Sequence, residues 1–230
     1  MNSLDTRRYE MLVRVRDFGA AHSDLFAKSS LAGRAFASVA SAVSKLMQHA
    51  ASQQSGRSSA REGTTSKAVA REALREDLDA IVRTARGLAL DTPGIDDRFR
   101  APRSSRDQAL VNHARAFSAD AAPLATAFVE HGMPEDFLDD LGDSIKELED
   151  AIRERNEGRQ INAAAQTAID EAMEEALEAV RRLDAIVPNV LRKSASQLSA
   201  WELARRVEYR GARKAEPAEA AASTSQAAAT

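Results

Sequence analysis

LDTPGIDDRFRAPRSSRDQ (residues 90–108) interrupts a chain that otherwise reads as helix after helix. Pro93 and Pro102 each lack the backbone donor that a helix interior needs, and Asp91-Thr-Pro-Gly is a helix stop. Ser104 or Ser105 then caps a new helix, because a serine hydroxyl accepts from the orphan amides of the first turn. The stretch is therefore read as a joint between two halves of a helical protein.

Composition agrees. About one residue in five is alanine, the best helix former. Only 53 residues are large and apolar, enough for a core of closely approaching helices but not for a bulky one. There is no cysteine, which removes disulfides, thiolate metal sites and cysteine nucleophiles. No uninterrupted apolar run reaches the length of a membrane span, and MNSLDTRRYEMLV lacks the apolar centre of a signal peptide. These features predict a bacterial cytoplasmic protein, with no membrane partner. The 26 arginines against six lysines fit a GC-rich genome.

Upstream of the joint, Ser3 or Asp5 caps a first helix to about residue 26, with Leu4, Met11, Val15, Phe18, His22 and Leu25 on one row. Ser29 or Ser30 begins a second, with Phe36, Val39, Val43, Leu46 and Ala50 at 3-4-3-4 spacing. SQQSGRSSAREGTTS (52–66) is polar, holds two glycines and reads as a loop. A third helix follows to residue 90 through Leu74, Leu78, Ile81, Ala85 and Leu88. Downstream, a fourth runs from 104 to 131, kinked or restarted at Pro123. Gly132 stops it, and Pro134 opens a fifth helix with an acidic first turn. A sixth spans about 162–187 and is bent or ended near Pro188; a short seventh covers 196–209. Residues 211–230 hold no large apolar residue and read as a disordered alanine-rich tail.

The expected fold is all-α: an elongated antiparallel bundle of six long helices with heptad-like, coiled-coil rows, plus a short C-terminal helix. The expected organisation is a three-helix unit at 1–92, a joint at 93–103, a second three-helix unit at 104–192, a short helix at 193–210 and the tail. The halves resemble each other. A shift of 99 lays Met11, Val15 and Phe18 on Leu110, Ala114 and Phe117. A shift of 102 lays Val39, Val43 and Leu46 on Leu141, Ile145 and Leu148, and Gly56-Arg57 on Gly158-Arg159. The third helix matches the sixth at 99, with Leu78 on Leu177. A tandem duplication of a three-helix unit is the reading this suggests.

Catalytic chemistry finds little footing. No histidine has an acid three residues before it, so the Glu-x-x-His pairs of a di-iron bundle are missing. H-E-x-x-H, phosphate-binding glycine loops and the G-x-S-x-G elbow are absent too. No catalytic, cofactor or metal residue is assigned. His22 reads first as a core residue. The acids Asp136, Asp140, Asp143 and Glu147 read as a solvated face; a cation stripe shared with Glu171, Glu174 and Glu175 is the alternative.

Charge is uneven, net +5 over residues 1–120 and −8 over 121–230. Arg98, Arg100, Arg103 and Arg106 crowd the joint around Phe99, and Arg205 and Arg206 sit in a basic C-terminal stretch with Arg192, Lys193, Arg210, Arg213 and Lys214. Such clusters contact phosphates or a partner, or pair with acids across helices. Trp201 anchors the last helix or stands at an interface.

MNSLDTRRYEMLVRVRDFGAAHSDLF and LDTPGIDDRFR resemble a family of all-helical bacterial proteins with no assigned activity, which implies a helical fold and a soluble cytoplasmic protein. The expected function is non-enzymatic: protein–protein interaction or self-association. The alternatives are a nucleic-acid-associated protein using the arginines, and a small-molecule or metal sensor in the bundle interior around His22.

Overall fold

The computed structural model describes residues 2–101 and 106–208. Among them the regular elements are all helical: α1 (Ser3–Ala21), α2 (Leu31–Leu88), a 3-10 turn (Asp96–Arg98), α3 (Asp107–Ala121), a second 3-10 turn (Ala122–Leu124), α4 (Ala125–Glu130), α5 (Phe137–Leu191) and α6 (Ala195–Ala204). The all-α class holds. The count of six long helices does not, because two helices of 58 and 55 residues replace four of the expected ones.

Residues 52–66, expected as a loop, run straight through α2. Two things keep them helical. The hydroxyls of Ser52, Thr64, Thr65 and Ser66 donate to carbonyl oxygens four residues back, at 2.7–3.3 Å, so they bond within the helix rather than unwinding it. The glycines are contact points. A Cβ at Gly56 would stand 2.7 Å from the backbone nitrogen of Asn162, and one at Gly63 would stand 2.7 Å from that of Arg155. Gly158 does the same from the facing helix, 2.6 Å from the nitrogen of Ala60. A glycine inside a helix costs about 1 kcal/mol against alanine; here its absence of side chain lets two backbones touch.

Other boundaries follow local chemistry. Asn2, not Ser3 or Asp5, caps α1: its Oδ1 accepts from the amides of Leu4 and Asp5 at 2.9 Å, and Asp5 Oδ2 accepts from the Asn2 amide at 3.1 Å. α1 ends at Ala21, short of residue 26. Ser30 Oγ accepts from the Gly33 amide at 3.0 Å and starts α2 as expected. Pro123 breaks the fourth expected helix into α3, the 3-10 turn and α4. Gly132, at φ 91°, ends α4, but α5 begins only at Phe137, three residues past Pro134. Pro188 lies inside α5, which continues to Leu191. The expected caps Ser104 and Ser105, and the tail, lie outside the described residues.

The described residues resolve into two compact units: 41–101 with 106–175, and 2–40 with 176–208. α2 and α5 each contribute to both. In the first unit, Leu74, Leu78 and Ile81 of α2 pack with Leu110, Val111 and Phe117 of α3, Phe128 of α4, and Leu141 and Leu148 of α5. Phe99, which the sequence set among the arginines of the joint, is 1% exposed and plugs this core. Its ring lies 5.3 Å from Phe117 and 5.4 Å from Phe128, nearly perpendicular to each. In the second unit, Trp201 takes the anchor position, with its ring 5.4 Å from Phe18 and 6.1 Å from Phe36.

Several positions 102 apart are each buried on the two long helices: Val43 and Ile145, Leu46 and Leu148, Gly56 and Gly158, Ala70 and Ala172, Leu78 and Val180, Ile81 and Leu183, Ala85 and Val187. At the shift of 99 read for the third helix, Leu74 and Met173, Ile81 and Val180, and Leu88 and Val187 are also both buried, while Leu177, matched to Leu78, is half-buried. Phe99 and Trp201 obey the same spacing.

Candidate functional site

The arginines of the joint are held in different ways. Arg98 ends the 3-10 turn and is exposed. Arg100 is ion-paired to Asp97, and His113 Nε2 lies 3.2 Å from its carbonyl oxygen. Arg106 occupies the cap position before α3 with an extended backbone. Arg103 lies outside the described residues. In the second unit, Arg205 faces Asp184 at 3.3 Å. Burial raises the Asp184 carboxyl above its ordinary pKa, and the Arg205 charge and hydrogen bond oppose that rise. The Arg206 carbonyl accepts from Arg14 Nη2. Trp201 is 1% exposed, and its Nε1 has no hydrogen-bond partner among the described residues.

His22 is half-buried, stacked on Phe18 at 4.2 Å, with Nδ1 2.9 Å from the Phe18 carbonyl oxygen. The acids of the alternative cation stripe, Asp136 to Glu147 with Glu171 to Glu175, are not brought together. Glu147 and Glu171 sit on one continuous helix, 24 residues apart, which is about 36 Å at the helical rise. Asp140 lines a recess with Asp77 and Thr84, and its carboxyl is raised above the usual range, first by Asp136, then by burial, Asp77, Asp143 and Asp139. Among the described residues no group of three or more acids and histidines is placed to hold a metal ion.

The feature that sequence reading missed is a groove between α2 and α5 in the first unit. It encloses about 730 Å³ and is lined on the α2 side by Thr65, Ser66, Val69 and Ala70. The α5 side contributes Glu147, Asp150, Ala151, Arg153, Glu154 and Glu157. Antiparallel packing creates it: Lys45 pairs with Glu175, Gln53 with Gln166 and Arg57 with Asn162. Extending that order sets residue 70 near residue 151. The floor is alanine, so the helices come close, and Val69, 67% exposed, forms one rim. The sequence reading placed these α2 residues at the start of a separate third helix, so their pairing with the helix of Glu147 and Ala151 was not seen. The exposed valine in a helical row was the one available signal.

A second, smaller groove of about 250 Å³ lies in the same unit, lined by Lys45, His49, Ala168, Glu171, Ala172 and Glu175. Five of these six positions fall, at the spacing of 102, on Glu147, Ala151, Ser66, Val69 and Ala70 of the larger groove. These positions, 102 apart, carry different chemistry in the two grooves. Lys45 Nζ and Glu175 Oε2 pair at 2.9 Å in the small one. In the large one Glu147 stands for the lysine and Ala73 for the glutamate, so that ion pair has no counterpart.

No helix among the described residues is long and apolar enough to cross a membrane. Compared with protein families, with characterised proteins and with solved structures, the chain matches none.

Proposed function

We propose that this is a non-enzymatic cytoplasmic protein that binds another protein, or a second copy of itself, along the paired surface of α2 and α5. The observation that carries this reading is apolar side chains turned outward on that pair within one unit: Met47 is 65% exposed, Val69 67% and Ile161 48%. Each is a large apolar side chain left in water on helices already paired through glycine, and each offers a partner an apolar contact along their length. The test is capture from native lysate with the full chain, with and without nuclease, alongside sedimentation at two concentrations. A nuclease-resistant partner, or reversible self-association, supports the reading. A protein that stays monomeric and retains only nuclease-sensitive material overturns it in favour of the arginines of the joint, beginning with Arg98 and Arg100.

We further propose that the halves descend from one duplicated unit of a short and a long helix, in place of the three-helix unit expected from sequence. Its support is the common burial register at 102 and the equivalence of the two grooves.

A further inference from the structure

The two grooves differ in a way that names an occupant. In the small groove Lys45 pairs with Glu175, and Glu171 stands beside them. In the large groove three changes act together. Glu147 replaces Lys45, Ala73 replaces Glu175, and Val69 replaces Glu171. The rim of α2 becomes apolar while that of α5 becomes acidic. Of the acids there, Asp150 and Glu157 share Arg153, at 2.9 and 3.8 Å. Glu147 and Glu154 have no ion pair among the described residues. A floor of Ala70 and Ala151 leaves room for a side chain to descend.

We propose that the large groove docks a cationic amphipathic helix of a partner protein, and the proposal rests on the interaction reading above. Apolar side chains of the guest lie against Val69, Ala70 and Ala151, where removal from water supplies the affinity. Lysines or arginines one turn away meet Glu147 and Glu154, which fix register and speed encounter. The small groove, a third the volume and with Lys45 and Glu171 where the large one has Glu147 and Val69, refuses the same guest.

The test uses the full chain and a fluorescein-labelled peptide of leucine and lysine at 3-4 helical spacing, read by anisotropy. A leucine–glutamate peptide of the same pattern is the control. The expected result is binding of the lysine peptide alone, weakened about ten-fold or more by Val69→Glu combined with Glu147→Lys, which places at these two positions the residue types found in the small groove. Both side chains are exposed, so circular dichroism remains unchanged. Glu202→Lys on α6 makes the same change of charge as Glu147→Lys and is expected to leave binding within about two-fold. The proposal is overturned if the lysine peptide does not bind, if both peptides bind alike, or if Glu202→Lys weakens binding as much as the groove variant. Self-association that the groove variant abolishes makes a second copy the occupant and overturns it too. A partner captured from lysate equally by wild type and groove variant leaves the interaction reading standing and removes the groove.

Discussion

Within one unit, α2 and α5 hold each other in two ways. At Leu74, Leu78 and Ile81 they meet Leu141, Ile145 and Leu148 through large side chains, roofed by α3 and closed by Phe99. At Gly56, Gly63 and Gly158 they meet backbone to backbone. In the first region stability grows with the apolar area removed from water. In the second it depends on a missing side chain, since any Cβ would fall where a neighbouring backbone atom already lies. Opposite mutations therefore weaken the two regions: shortening side chains in one, lengthening them in the other.

The largest effect is expected where the side chain is most deeply buried. Phe99→Ala leaves a hole between Phe117 and Phe128 and costs about 3–5 kcal/mol. Trp201→Ala removes the equivalent plug between Phe18 and Phe36 and is expected to cost the same within about 1 kcal/mol. Urea unfolding of the two variants measures both. A loss near zero at either position breaks the picture of aromatic closure, and a wide gap between them counts against the duplicated unit.

A middle-sized effect tests the glycine region, and its sign matters more than its size. Gly56→Ala and Gly158→Ala bring a methyl group within 2.6–2.7 Å of backbone nitrogen. Backbone yields little, so overpacking of about 1–3 kcal/mol outweighs the gain of about 1 kcal/mol in helix propensity. Gly142, also inside α5, has nothing within 4 Å of an added Cβ. Gly142→Ala is expected to stabilise by up to about 1 kcal/mol. Thermal melts of the three variants decide it: if all three rise together, the close contact of α2 with α5 is wrong.

How much of this was legible follows from the same contrast. Apolar rows in 3-4 spacing report large side chains facing a core, so the rows of Leu74, Leu78 and Ile81 and of Leu141, Ile145 and Leu148 were readable, and the shift of 102 with them. A row made of Gly56, Gly63 and Gly158 has the composition of a turn. Only the facing helix tells a packing glycine from a breaking one, and that partner lies about a hundred residues away in sequence. Phe99 was hidden for a related reason: a lone aromatic among arginines has no periodicity to reveal what it faces. The groove beside Val69 was missed because its wall residues were read in a helix whose facing partner, Glu147 to Glu157, lies about eighty residues away. The acid stripe of α5 was visible as a pattern, but its continuity in one helix, which keeps Glu147 far from Glu171, was not.

The smallest expected effect lies at the start of α5. Asp140 stands in the first turn, where the helix dipole favours a carboxylate. Its carboxyl is nonetheless raised, because Asp136, Asp77, Asp143 and Asp139 repel its charge and burial adds to them. The repulsion therefore outweighs the dipole. An acid whose folded pKa is raised contributes its full share of stability below the ordinary value of 3.8 and loses it as pH rises through the folded value. At neutral pH the repulsion is fully in place. Asp140→Asn is expected to raise the melting temperature slightly at pH 7, with the gain shrinking as the pH falls toward the ordinary carboxylate range. Added salt should shrink it as well, since these charges are exposed. Melts at two pH values and two salt concentrations measure it. A gain that persists in acid would have to come from packing or propensity, and the first turn of α5 would then be limited by its shape rather than by its charge.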